Sequence, residues 1–432
     1  MKNNQPIVVP DIYYIEVSIF CSSNSYTMKS FLFFVFLSIL GYSSLLSQPC
    51  LPDGITLTTQ SEIDNFKTNN PGCTEIGGSL IIYGDDITNL NGLNGIVSVG
   101  FDLNITYTTN LSSLSGLESI RKSSLVTIVE NTGLQSLTGL SGLDSIHFTL
   151  AISKNLMLIN LEGLNSLKFI SNTFNVIDNP QLSSLHGLDS LEFIGGLFMK
   201  GNPALFNLQG MPMLNTIDYN LALENTQLHN LTGLENINSI NQVKIFFNPS
   251  LSSLSGLDGL TNVLGTMEIK GNATLNSLEG LNSLAFVQDD VLIIGNSGLL
   301  NIEALNALER AGTSLDFSTS IEISGNGMLS SLNGLDNIDL SESPFLTFSI
   351  YTNSVLSDCT IDPFCHSTPP TSIFDNAPGC NSMDEIKVAC LVDITDLESE
   401  PTLILNPNPV HDVIRFEGID LADTEIVLVF NG

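Results

Sequence analysis

The stretch from Asn248 to Leu260, NPSLSSLSGLDGL, returns along the chain in recognisable copies: NPQLSSLHGLDSL from Asn179, NPALFNLQGMPML from Asn202, NATLNSLEGLNSL from Asn272 and NGMLSSLNGLDNI from Asn326. Its glycine falls at Gly92, Gly116, Gly139, Gly163, Gly187, Gly210, Gly233, Gly256 and Gly280, at intervals of 23 or 24 residues. Ala304 stands in the next unit, and Gly334 follows after 30, so an insertion is expected around Ala311 to Ser320. A period of this length describes stacked units, each too small to bury its own apolar face, that share one continuous core. The 432 residues are therefore not two or three independent globules.

Ahead of each copy comes a short alternating run: LVTIVEN, TFNVIDN, VKIFFN, TMEIKGN, VLIIGN, IEISGN. Alternation with β-branched content predicts one strand per unit, and stacking the units makes the strands a parallel sheet. A helical unit is disfavoured because Gly, Asn and Ser interrupt every copy. The expected fold is mainly β, a solenoid of roughly eleven coils. The strands end on Asn110, Asn131, Asn155, Asn179, Asn202, Asn225, Asn248, Asn272, Asn296, Asn326 and Asn353. An amide donates and accepts, so stacked asparagines would satisfy the inward-facing backbone groups of each turn as a ladder. Pro180, Pro203 and Pro249 then set the exit from the strand. An acid or amide after Gly-Leu, such as Glu118, Asp189, Asp258 or Asp336, is expected to cap the turn that follows. The reading needs no cofactor; calcium is the alternative to capping, since it gathers several oxygens, but amides interrupt the carboxylate column.

Acidic residues outnumber basic ones 45 to 13, a formal charge of −32. Such a surface has no basic footprint for phosphate and argues against nucleic acid or anionic lipid as a partner. Seven cysteines are present, none of them between Gly77 and Ser357. Cys50 and Cys73 precede the repeats; Cys359, Cys365, Cys380 and Cys390 follow them. Cysteines confined to the two ends suggest disulfide-braced caps in an oxidising compartment, with three pairings open to the last four. A zinc site is the alternative, but Cys359 and Cys365 lack the CxxC spacing.

Residues 28–47 read as a secretory signal: Lys29 is the basic start, FLFFVFLSILG the apolar stretch and YSSLLS the small-residue end before Gln48. The apolar run is too short for a stable membrane span. Residues 1–27 make no sense ahead of a signal, so Met28 is the expected true start, and Cys21 drops out with the extension. The remaining divisions are an N-terminal cap at 48–84, repeats at 85–356, a Cys-rich cap at 357–390, an acidic linker at 391–402 and a last segment at 403–432.

The leucine ladder, flanked by CLPDGITLTTQSEIDNFKTNNPGC and by CTIDPFC with DNAPGCNSMDEIKVAC, resembles secreted bacterial leucine-rich repeat proteins of the receptor L-domain type. The resemblance covers Cys50 to about Cys390 and implies a right-handed solenoid with an exported recognition role and no catalytic residue. The final segment, LILNPNPVHDVIRFEGIDLADTEIVLVFNG, resembles the start of the sorting domain read by the type IX secretion machinery. Asn406, Pro407, Asn408, Pro409 and Asp412 carry that second resemblance, which implies a partial β-sandwich, the secretion machinery as a partner and a secreted or cell-surface destination associated with the outer membrane. The usual domain continues with further strands beyond the point matched by Gly432.

Catalytic motifs are missing from the reading. The five histidines fall in different columns of the repeat, and neither HExxH, GxSxG nor a phosphate-binding glycine loop occurs. A glycosidase on the sheet would need two carboxylates; Glu268 and Glu322 are the pair on outward strand positions, about 10 Å apart at two strand steps. No enzyme is expected. A recognition face is the better candidate. Taking the residues two and four before each strand-ending Asn as outward, the central coils present Phe198, Lys200, Leu221, Leu223, Lys244, Phe246 and Lys270. An apolar cluster with a basic fringe on an acidic protein suits a protein or glycan ligand of the cell envelope. Two alternatives stand beside it: a spacer whose sheet face is covered, and a polysaccharide-active solenoid enzyme.

Overall fold

Each coil closes because its leucine frame and its strand point into the same interior. In the coil around Gly256, Leu251, Leu254, Leu257 and Leu260 join Val243 and Ile245, none more than 1% exposed. Burying one such side chain stabilises by about 1.5–3 kcal/mol, and every coil repeats the gain against its neighbours. The computed structural model describes residues 49–393 apart from 315–317 and 344. The expected extension, signal and sorting segment, and residues 394–402 of the linker, lie outside the described residues.

The described chain is a mainly β, parallel-sheet solenoid of about 13 turns. One 16-stranded sheet runs its length, every pairing parallel between successive coils, and a separate four-stranded sheet accompanies the later coils. The count exceeds the expected eleven because the caps are coils too. Ile55–Leu57 and Leu80–Ile82 start the sheet, and Thr371–Phe374 ends it. At the first end, helices α1 (Gln60–Asp64) and α2 (Phe66–Asn69) lay Ile63 and Phe66 over the open core. Thr59 and Glu62 form a reciprocal capping box at α1, and Cys50 is bonded to Cys73. At the other end, α3 (Asp362–Cys365) and α4 (Met383–Asp393) close the stack, with Phe364 edge-on to Phe348 at 5.0 Å and Ile386 buried. There Cys359 pairs with Cys380 and Cys365 with Cys390, at Cα separations of 5.7 and 5.5 Å. Helix α4 continues past Cys390, where the linker was expected to begin.

The asparagine ladder is present, with two corrections. Asn155 Oδ1 accepts from the backbone and side-chain N–H of Asn131, at 3.1 and 3.2 Å, while Asn155 Nδ2 donates to the Ile128 carbonyl at 2.9 Å. The same exchange recurs up to Asn376, which donates through its backbone to Asn381 Oδ1. Asn110 and Asn225, however, are not rungs. Both are exposed, and Thr108 and Thr226 are the buried residues that donate to Asn131 and Asn248. A threonine supplies the backbone and hydroxyl donors that the next amide needs, which is enough to begin a run.

The glycine of the leucine frame has a reason as well. At Gly256 φ is +111°, and a Cβ there would run into the Leu231 carbonyl of the preceding coil, so only glycine fits. Where Ala304 replaces it, the chain forms a 3-10 turn instead, Glu303–Leu305. The acid two residues on caps this glycine rather than the turn that follows: Gly256 N donates to Asp258 Oδ2 at 2.8 Å, and Gly233 N to Glu235 Oε1 at 2.9 Å. The capping expectation held in kind and was reversed in direction.

Most early coils turn their second corner differently from the later ones, the coil of Ser145–Ile146 and Leu150–Ser153 being split into two strands already. Strands Ser98–Thr106, Phe169–Ile177 and Thr216–Glu224 bend around it without interruption, each through a register shift of the bulge kind. In the later coils the pairing breaks there. Two-residue strands such as Asn262–Val263 and Phe286–Val287 form the smaller sheet, and Met267–Lys270 and Val291–Ile294 continue the large one.

Candidate binding surfaces of the coil

The outer face of the large sheet was the expected site, and the structure redraws it. Phe198, Lys200, Lys244, Phe246 and Lys270 do lie on it, all half-buried. Leu221 and Leu223 do not: they are 0% and 1% exposed and belong to the core. The reason is the rung assignment. With Thr226 rather than Asn225 as the rung, the strand's facing shifts by one residue, and period-2 alternation sends every side chain to the opposite face. The outward residues of that coil are Ala222 and Glu224. Ala222 stands in register between Phe198 and Lys244, and Glu224 between Lys200 and Phe246. Lys200 is ion-paired with Glu224. Two phenylalanines two coils apart, separated by alanine and an ion pair, make a mixed surface rather than an apolar cluster. Thr108, also taken as outward, is a buried rung.

The paired carboxylates weighed for catalysis are two ladder steps apart, Glu268 beside Leu292 and Leu292 beside Glu322. Glu322 accepts from the Tyr351 hydroxyl and from Ser324, and Tyr351 stacks on Phe374 at 5.0 Å. The hydrogen bond to Glu322 raises the Tyr351 pKa above its usual value. The histidines stay apart: His229 stacks on Phe206, His186 lies 3.9 Å from Asp189, and His366 lies 2.7 Å from Asp362. Among the described residues no three His, Cys, Asp or Glu side chains gather to hold a metal ion.

A second surface was not foreseen. The residue before each rung has a left-handed backbone, φ between +49° and +69°, from Tyr107 through Glu130, Lys154 and Asp178 to Gly325, Thr352 and Asp375. Glycine holds this position at Gly201, Gly271, Gly295 and Gly325, and Asp or Asn, which tolerate it best among other residues, at Asp178, Asn225 and Asp375. That distribution was visible in the sequence as the glycine before several strand-ending asparagines. Tyr107, Glu130 and Lys154 break it in three successive coils. They line one side of a groove of about 560 Å³ that also touches Asp85, Leu156, Pro180 and Pro203.

Within the groove Lys154 Nζ lies 2.9 Å from Glu130 Oε1. The hydrogen bond and charge of Glu130 raise the Lys154 pKa, with Tyr107 and Asp178 adding to the effect. Tyr107 is 55% exposed, and Thr109 donates to Asp85 at 3.0 Å. A cavity of about 1210 Å³ lies at the C-terminal cap among Asp339, Asp362, His366 and Lys387. Lys387 there donates to the carbonyls of Cys365 and Ser367, so it ties the cap together. Among the described residues no helix is long and apolar enough to cross a membrane. No family model matches the chain, and no curated protein matches it as a relative.

Proposed function

We propose that the protein is an exported recognition or adhesion protein that binds a protein or glycan of the cell envelope through the outside of its solenoid. The observation that carries this reading is the division of labour within each coil. The leucines, the rung amides and the frame glycines repeat because the stack consumes them, whereas the outer sheet face and the corner before each rung change from coil to coil. A stack needs nothing from those variable positions, so they are free to serve a ligand. Three disulfides confined to the ends favour an oxidising compartment. The resemblances to receptor L-domain repeats and to the type IX sorting segment at Asn406 to Asp412 agree with export to the surface or medium. In this reading the chain binds without catalysis or cofactor, and its partners are the secretion machinery and the envelope ligand.

The test is retention of the full chain on envelope fractions before and after protease or periodate treatment. Saturable retention abolished by one of the two treatments is expected. A chain retained by no fraction leaves a spacer role in its place.

A further inference from the structure

We infer that the corner groove spanning Tyr107 to Pro203 binds a neutral linear glycan laid along the solenoid axis. The inference rests on the recognition reading and assigns it a place and a ligand class. Three observations carry it.

The first is backbone conformation. Tyr107, Glu130 and Lys154 sit at φ of +53°, +57° and +55°, where an L side chain is disfavoured and where the later coils use glycine at 271, 295 and 325. Phe247 and Thr352 take the same backbone singly outside the groove; three successive coils that do so along it suggest a job done by those side chains. The second is charge. The groove holds three carboxylates, Asp85, Glu130 and Asp178, against one ammonium, Lys154, which Glu130 already engages. Anionic polymers are repelled, while the hydroxyl donors of a sugar find acceptors. The ring of Tyr107 and the flanks of Pro180 and Pro203 offer apolar surface to the C–H faces of the same sugars.

The third observation separates a glycan from a peptide. An extended peptide gains affinity from a free strand edge. Here the amides of Glu130, Lys154 and Asp178 donate to the next coil, at 2.9–3.0 Å, so these offer no edge to pair with. Recognition is left to side chains, as glycan recognition requires. From the coil of Asp85 to that of Pro203 the groove covers five coil steps, about 24 Å at strand spacing, and so presents a repeating surface to a repeating polymer.

The experiment uses the full chain, with neutral β-glucan, β-mannan and xylan oligosaccharides as probes and alginate and oligolysine as charged controls. Binding of at least one neutral glycan is expected, with Tyr107→Gly and Glu130→Gly each weakening it about tenfold or more. Because glycine suits a left-handed backbone, both variants should keep or raise the thermal midpoint, which separates lost binding from lost fold. Preferential binding of oligolysine or alginate overturns the inference. Unchanged glycan affinity in both variants also overturns it; if Phe198→Ser with Phe246→Ser then removes binding, the recognition reading stands and only its location moves to the sheet face. Retention on protease-sensitive envelope fractions with no glycan bound overturns the inference alone. A chain that binds no probe and no envelope fraction overturns both.

Discussion

The corner before the rung is built twice in this molecule, and the two versions differ in what they spend on it. In the coils of Tyr107, Glu130 and Lys154 it carries long side chains on a left-handed backbone; in those of Gly271, Gly295 and Gly325 it carries none. The interior beneath is the same in both stretches, with leucines and rung asparagines near zero exposure. A solenoid coil therefore separates into a part set by stacking and a part that stacking leaves open. Where the open part adopts a less stable residue, the cost must be matched by some use for it. Phe247 marks the boundary: it is left-handed as well, and its ring lies over the space that the missing side chain of Gly271 leaves.

The comparison breaks most readily at the ladder, because both stretches should depend on it equally. Asn155→Leu in the early coils and Asn272→Leu in the later ones each strand two donors and a carbonyl of neighbouring coils. Each should cost about 4 kcal/mol, read as a fall in the urea midpoint. A large inequality between them would show that the two interiors are not equivalent. Opening the C-terminal cap by Cys359→Ser with Cys380→Ser should cost about 3 kcal/mol. Hydrogen exchange should then rise first in the last coils and leave the Tyr107 groove protected, if stability is a sum of neighbour terms.

The corner itself is tested by exchange of residues. Gly295 has nothing within reach of an added Cβ, so Gly295→Ala should cost about 1 kcal/mol through backbone conformation alone. Tyr107→Gly should stabilise by a similar amount, about 1 kcal/mol, in thermal unfolding. Equal signs for these two changes would remove the distinction between the stretches.

The smallest expected effect concerns Asp102 on the outer face of the early coils. Burial raises its pKa, against hydrogen bonds from Asn104 and Thr127 that lower it. A folded pKa above the unfolded one means that the native state holds this proton more tightly. The charged carboxylate is thus a cost at neutral pH, and it is relieved as pH falls through the folded value. The wild type should gain stability on mild acidification relative to Asp102→Asn, by well under the effects above. Parallel pH profiles that never converge would remove this account.

Much of the fold was legible from repetition. The strand, the frame and the rung amides recur at a fixed period, and any stack of such units must point the same residues inward. The outward face was legible only where the rung was identified correctly. At Asn225 the amide next to the true rung, Thr226, moved Leu221 and Leu223 to the wrong side, because a one-residue slip inverts a strand. Only hydrogen bonding between coils separates the two candidates.

The amino-acid order alone settled that the chain stacks, most of the residues that fill the stack and the seat of the cysteines at its ends. Those follow from composition and period, since burial and turn chemistry act within a coil and between immediate neighbours. The tertiary structure decided the cysteine pairing of the second cap, the residues that face outward at Thr226 and the existence of a groove at the corner. Each of these depends on where backbone dihedrals place side chains from different coils, and a linear pattern holds no record of that distance.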